Sequence, residues 1–243
     1  MLSKKSERIN DFVYTLLPLF IVTLTFVTLI YLQNDFSTAF FIFFIAVVML
    51  FVAGLKIFHF VFISAVGIPA AFILLFTKEH RVKRLIAFLN PQIDPIGAGY
   101  QVNMARSALI GGGLWGTGVG EGTIKLGALP EAHSDFVFAV LGEEMGFLGV
   151  MFVLGILITF AVRGYTIAAK SSDQFNSILA FGITTTIFYQ ALLNIGVVSG
   201  LVPATGIPLP FFSLGGSSIV VTLFMYGVLL NLSRHINEGG VSE

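Results

Sequence analysis

Five ionisable side chains crowd into fourteen residues of this chain: Glu131, His133, Asp135, Glu143 and Glu144. They belong to the segment Leu129-Pro-Glu-Ala-His-Ser-Asp-Phe-Val-Phe-Ala-Val-Leu-Gly-Glu-Glu-Met-Gly146. A carboxylate placed among such neighbours can take the proton of a hydroxyl and make it a nucleophile. If the chain is helical from Asp135 onward, Phe136, Ala139 and Val140 face apolar surroundings. Asp135 then sits near the amino-terminal end, where the helix dipole favours a negative charge. A plainer use of the same residues is an N-cap at Ser134 or Asp135, and the pattern alone leaves both open. Ionisable residues close to a membrane are nonetheless functional candidates.

Other segments offer less. Ten of the 26 glycines lie between Gly97 and Gly127, which points to tight turns or a close backbone approach to a ligand. Within them Gly111-Gly-Gly-Leu-Trp-Gly116 fits G-x-G-x-x-G in form only. No strand precedes it, no acidic residue stands at the expected distance, and no Lys-Ser or Lys-Thr follows, so neither a dinucleotide fold nor a phosphate loop is supported. His59 and His235 read as satisfied or solvated histidines rather than ligands, and Asp35 as the cap of a helix that follows it. Residues 198–218 carry three prolines and four glycines around an apolar stretch. They read as a broken or re-entrant segment, which membrane depth tolerates only where it lines a cavity or is buried in protein.

The elements that must position these residues follow from composition. The chain has 243 residues, 56% hydrophobic and 11% charged, where a soluble domain has about 25% charged. Charges are absent between Asp11 and Asp35, Asp35 and Lys56, Lys56 and Lys78, and Glu144 and Arg163. Each gap accommodates a helix of the length that crosses the hydrocarbon. A further uncharged run over 174–233 holds two more. The expected fold is an all-α integral membrane protein with about six transmembrane helices, near 12–32, 37–54, 57–76, 147–162, 177–198 and 211–232, in one domain over 1–243. Residues 13–32 are too long for a signal-peptide core and lack a cleavage pattern, so they are expected to stay in the membrane.

The long connection over 77–146 is the one segment large enough for a site outside the bilayer. Its start, Lys78-Glu-His-Arg-Val-Lys-Arg84, leads into apolar residues at helical spacing (Val82, Leu85, Ile86, Leu89), the pattern of an amphipathic helix on membrane lipids. Asn90-Pro-Gln-Ile-Asp-Pro95 should end it. Placing the amino terminus inside puts Lys4, Lys5, Arg8, Lys56, Arg163, Lys170 and Arg234 in the cytoplasm, as the positive-inside rule requires. Both termini are then cytoplasmic and the long loop extracytoplasmic. The 13 basic and 13 acidic residues balance, so no nucleic-acid surface is suggested. No cysteine is present, which excludes disulfides and thiolate metal sites.

Four ordered segments carry a family resemblance: Gln33-Asn-Asp-Phe-Ser-Thr38; Phe88-Leu-Asn-Pro-Gln-Ile-Asp-Pro-Ile-Gly-Ala-Gly-Tyr-Gln101; Leu129-Pro-Glu-Ala-His-Ser-Asp-Phe136; and Asn194-Ile-Gly196 followed by Thr205-Gly-Ile-Pro-Leu-Pro-Phe-Phe-Ser-Leu-Gly-Gly-Ser-Ser218. From about Ile30 to Ser233 the chain resembles the FtsW/RodA/SpoVE family of SEDS (shape, elongation, division and sporulation) proteins. Asn34 stands where that family usually has Pro, and Leu214 where it usually has Tyr. Glu131-Ala-His and the Ile124-Lys-Leu stretch lean toward the division members. The six expected spans correspond to the last six of the family's roughly ten. The first four have no counterpart here, as expected of a fragment, a mis-called start or a natural truncation.

The resemblance implies a bacterial cytoplasmic-membrane enzyme, a peptidoglycan glycosyltransferase that polymerises lipid II into glycan strands outside the membrane during division or elongation. It also implies a class B penicillin-binding protein, a transpeptidase, as partner, alongside other membrane proteins of the division or elongation complex. The family's essential aspartate falls on Asp135. An inverting transfer of a pyrophosphate-linked glycan to a sugar hydroxyl needs one base, Asp135, with Glu131, His133 and Glu144 orienting or tuning it. Lys125 or Arg106, or a divalent cation (Mg or Mn), would offset charge on the leaving pyrophosphate. Gln101, Ser213 and Ser217 are weaker substrate-contact candidates. No other cofactor is implied. The alternatives are a lipid II flippase or a non-catalytic scaffold of the cell-wall synthesis complex. The first would need polar residues continuous to the cytoplasmic face, and in the second Asp135 would only be a cap.

Overall fold

A computed structural model describes residues 11–90, 98–122 and 134–239. These residues are helical with no strand among them. After a π-helical turn, Phe12–Leu16, come α1 (Leu17–Leu32), α2 (Phe36–Val52), α3 (Ile57–Leu75), α4 (Glu79–Leu89), α5 (Ala98–Gly111), α6 (Val137–Lys170), α7 (Gln174–Val198) and α8 (Gly216–Gly239). Runs this apolar form helices because a helix satisfies its own backbone in lipid. Five stretches, Val13–Leu32, Ile57–Leu75, Val137–Lys170, Gln174–Val198 and Gly216–Arg234, are long and apolar enough to cross a membrane, and Phe36–Val52 is a shorter apolar helix.

Local signals explain the boundaries of the first helices. Asp35 Oδ1 accepts from the Thr38 amide at 3.0 Å and caps α2, the role expected of it. The chain reaches Asp35 through Asn34, whose φ of 65° is a left-handed turn that Asn tolerates better than most side chains. Helix α4 buries Arg81 and Ala87 and leaves Leu89 exposed, and Lys83 Nζ pairs with Glu79 Oε2 at 3.7 Å one turn away.

Two boundaries depart from the expected spans. Helix α6 begins at Val137 rather than 147, because Glu143 and Glu144, which look like the end of a loop, are helical residues. Gly146 (φ 65°, ψ −165°) interrupts the helix behind them. Residues 211–215 are apolar but not helical, and α8 starts at Gly216. Phe211 adopts a φ of 68° there, directly after Pro208 and Pro210, and a helix cannot run through that backbone.

The chain divides into two compact units. One comprises residues up to 77, 163–186 and from 228. In it Leu16, Leu50 and Leu55 form a small core with Leu19, Phe20, Phe60 and Ile63 packed on it, and Tyr31 Oη shares a hydrogen bond with Thr77 Oγ1 at 2.9 Å. The other comprises 78–162 and 187–227 and holds the larger core: Ala105, Ala108, Phe136, Phe138, Ala139, Val153, Leu157, Ala191, Val197, Val198 and Leu209. Phe136 and Ala139 are thus buried against apolar neighbours, with Val140 beside them. The acidic segment that contains Asp135 lies in this second unit.

Candidate functional site

Asp135 lies just ahead of α6, in a turn immediately before the buried Phe136. Its backbone is gripped from across the fold. Asn194 on α7 donates one Nδ2 hydrogen to the Asp135 carbonyl at 2.8 Å and the other to the Ile207 carbonyl at 2.9 Å. Asn194 is 1% exposed, and in so dry a setting an amide with two carbonyl partners fixes both segments to α7. The carboxylate of Asp135 lies against Gly206, its Oδ2 3.5 Å from where a side chain on that glycine would begin.

The segment after α7 supplies the opposite wall. Residues 199–213 cross the second unit without regular structure, and Ile207, Leu209 and Ser213 are buried. Their backbone is satisfied by side chains. Gln190 Nε2 donates to the Pro208 carbonyl at 3.0 Å, and the Leu209 amide donates to Ser213 Oγ at 2.7 Å. Irregular backbone buried in protein survives on such terms.

Between these elements lies a polar cleft of about 40 Å³, lined by Arg84, Gln101, Asp135, Phe136, Asn194, Val197 and residues 204–207. Its size suits a water or a single hydroxyl group rather than a sugar ring. Asp135 and the exposed Arg84 both line it, a pairing suited to deprotonating a hydroxyl presented at its mouth and to holding an anionic group beside it. A much larger cavity, about 520 Å³, lies in the other unit among α1, α2 and α3, with Phe20, Phe40, Phe43 and Phe62 in its lining. It contains no carboxylate, and its one imidazole, His59, keeps Nδ1 buried without a hydrogen-bond partner. The small cleft has the chemistry and the large one only the volume.

Of the residues expected at the site, Asp135 and Gln101 come together in the cleft. Lys125, Glu131 and His133 lie outside the described residues. Glu144 does not line the cleft. With the buried Glu143 it flanks Gly122, at the interruption of α6. Arg106 is committed elsewhere: its Nη2 and Nε donate to the carbonyls of Gly200 at 2.7 Å and Ser199 at 3.3 Å, closing the carboxy-terminal end of α7 as cations there do. Ser213 is buried, its hydroxyl used by the Leu209 amide. Ser217 is exposed on the first turn of α8, away from the cleft.

Arg84, Asn194 and Thr205 belong to the cleft without having been expected there. Asn194 did carry a signal: an amide in a long uncharged run must find partners. Arg84 looked like one more charge of the basic helix. Among the described residues no group of three or more His, Asp or Glu is placed to hold a metal ion.

Residues 1–238 match the family model of the FtsW/RodA/SpoVE cell cycle proteins. The probable peptidoglycan glycosyltransferase FtsW of Borreliella burgdorferi is 44% identical over 238 residues, covering 98% of this chain and 65% of the relative. The stage V sporulation protein E of Bacillus subtilis is 40% identical, with 96% of this chain and 64% of the relative covered. Among solved structures, a chain of a peptidoglycan synthase complex that coordinates polymerization and crosslinking superposes with a TM-score of 0.77 at 30% identity, over 97% of this chain and 66% of that one. The rod shape determining protein RodA of Thermus thermophilus gives 0.62 at 27% identity, over 96% and 61%. The chain spans about two thirds of the length of these relatives. With nearly all of its residues matched, this multi-pass, all-helical membrane chain belongs to the FtsW/RodA/SpoVE family of cell cycle proteins.

Proposed function

We propose that this chain carries the acceptor side of the active site of a peptidoglycan glycosyltransferase that polymerises lipid II, with Asp135 as the general base. The observation that carries the reading is the cleft. A carboxylate whose backbone is locked by Asn194 shares a hydroxyl-sized space with Gln101 and Arg84. The names of the relatives, which include a probable peptidoglycan glycosyltransferase, support the same chemistry. Asp135 takes the proton of the acceptor hydroxyl as that oxygen attacks the anomeric carbon, and the pyrophosphate leaves with the electron pair of the broken bond. Arg84 stands where a guanidinium can bind a phosphate oxygen. Lys125, or a divalent cation (Mg or Mn) bound with the pyrophosphate, would offset the remaining charge on the leaving group.

In a chain carrying the full length of the relatives, Asp135→Asn should insert and express normally while polymerisation of labelled lipid II in detergent falls by about 10² to 10⁴, the usual loss of one general base. Undiminished polymer would remove Asp135 from the chemistry, and loss of the folded protein would leave it a structural residue.

The reading places the cleft on the extracytoplasmic side with both termini in the cytoplasm. The cysteine-free background lets this be read directly. Cysteine introduced at Ser107 should react with an impermeant thiol reagent in intact cells, and cysteine introduced at Ser171 only after permeabilisation. A class B transpeptidase is the partner that fits the synthase complex this chain resembles, and co-purification from native membranes is the check. Failure to recover one would restrict the reading to polymerisation alone.

A further inference from the structure

The segment following α5 is uncharged and strongly apolar. Between Arg106 and Glu121 there is no charged side chain, and four large apolar residues stand out from the protein: Ile110 (80% exposed), Leu114 (63%), Trp115 (81%) and Val119 (82%). A connection in water would ordinarily be polar, and a cluster of this kind marks a surface that meets something. What it meets is indicated by where the loop is fastened.

The loop is pinned to the interruption of α6. The Thr117 and Gly118 amides donate to the carbonyls of Glu143 at 3.0 Å and Glu144 at 3.1 Å, which the break at Gly146 releases from the helix. In return, the Phe147 and Leu148 amides donate to the carbonyls of Gly113 at 2.9 Å and Leu114 at 3.3 Å. Gly116 and Gly146 make this approach possible. Both have positive φ, and a methyl group on Gly116 would overlap the Glu144 carbonyl. The four exposed apolar residues are therefore held at the level of Phe147 and Leu148, the first residues of the uninterrupted apolar helix and themselves half exposed.

We infer that residues 110–119 form a lipid-facing anchor, with Trp115 seated in the interfacial layer of the bilayer at the end where the α6 span begins. Three observations favour lipid over a protein partner. The patch continues the lipid-exposed face of a membrane span (Phe147, Leu148, Met151, Phe152) rather than standing apart from it. The loop's amides at Gly112, Gly113, Gly116, Thr117 and Gly118 all find carbonyl partners within the protein, the condition for backbone to approach hydrocarbon. The residue at its tip is a tryptophan, the side chain that partitions best to the headgroup level. The inference rests on membrane insertion and on this loop, and is independent of the glycosyltransferase reading.

Trp115 is the only tryptophan in the chain, so its fluorescence reports the loop without labelling. The protein is reconstituted into vesicles of phosphatidylethanolamine and phosphatidylglycerol in which part of the lipid carries bromine, either near the headgroup or near the chain terminus. Emission should be blue-shifted from that of a water-exposed indole, lose more intensity to bromine near the headgroup than to bromine near the chain end, and be shielded from aqueous iodide. Leu114→Glu, which leaves the pinning amides in place, should shift the emission back to the red and restore iodide quenching. Red emission quenched by iodide in the unsubstituted protein would put the loop in water. Blue-shifted emission that neither bromolipid quenches would mean a protein surface covers the tryptophan. Either result overturns the anchor.

Discussion

Two irregular stretches of the second unit solve the same problem in opposite ways. Residues 199–213 run without regular structure through the protein interior, and side chains from α7 meet their carbonyls: Gln190 at Pro208 and Asn194 at Ile207. Residues 112–118 lie at an interrupted helix, and backbone meets backbone in both directions, amides to Glu143 and Glu144 and carbonyls to Phe147 and Leu148. The first arrangement depends on which side chains are present. The second depends on which are absent, because two backbones approach that closely only where one of them lacks a Cβ. Asp135 hangs from the side-chain-dependent arrangement, and Trp115 from the other.

The contrast makes graded predictions. Gly116→Ala should have the largest effect. It forces an alanine to a φ of 81° and overlaps the Glu144 carbonyl, so it combines a left-handed backbone cost with loss of the pinning bonds, about 3 kcal/mol together. Thermal unfolding of the detergent-solubilised protein measures it, and an unchanged midpoint would show that the loop is not held by backbone pairing. Asn194→Leu comes next. Buried carbonyls left unmet cost about 1–3 kcal/mol each, but hydrogen bonds between membrane helices average nearer 0.6, which places the double loss at about 1–3 kcal/mol. Gln190→Leu gives up one bond, at about half that. The two should rank in that order, and the Asn194 variant should also lose polymerisation activity beyond what its stability explains, because it frees Asp135. Equal effects would mean that the second bond of Asn194 contributes nothing. The smallest effect is expected of Thr117→Val. It removes the hydroxyl that also reaches the Glu143 carbonyl at 3.2 Å but keeps the amide bond, for under about 0.5 kcal/mol. A loss as large as that of Gly116→Ala would break the distinction between the two stretches.

Much of the fold was legible in the chain. Gaps between charges mark α1, α2 and α3 to within a few residues because lipid excludes charge and imposes a length. Asp35 announces its cap, and the cluster of glycines announces the close approach found at residues 112–118. What stayed hidden depends on contacts far apart in sequence. Glu143 and Glu144 resemble a loop end because the span criterion stops at charge, yet helix α6 passes through them and breaks afterwards. Arg106 and Ser213 have the right chemistry for substrate contact. Nothing local reveals that the Ser199 and Gly200 carbonyls claim the one and the Leu209 amide the other. Arg84 was hidden for the converse reason. On an amphipathic basic helix every cation looks like surface, and only the position of Gln101 and Asp135 across the cleft distinguishes this one.

The interruption at Gly146 also acts as a ruler. With residues 110–119 riding at the headgroup level, the hydrocarbon is measured from Phe147, and the uncharged helix from there to Val162 is about 24 Å long at 1.5 Å per residue. That is about 6 Å short of an average bilayer core. Arg163 must therefore extend its aliphatic stem toward the headgroups of the opposite leaflet, or the leaflets must draw together around α6. Either response lowers the thickness of lipid beside the unit that holds Asp135, so the bilayer there is thinner than the membrane around it.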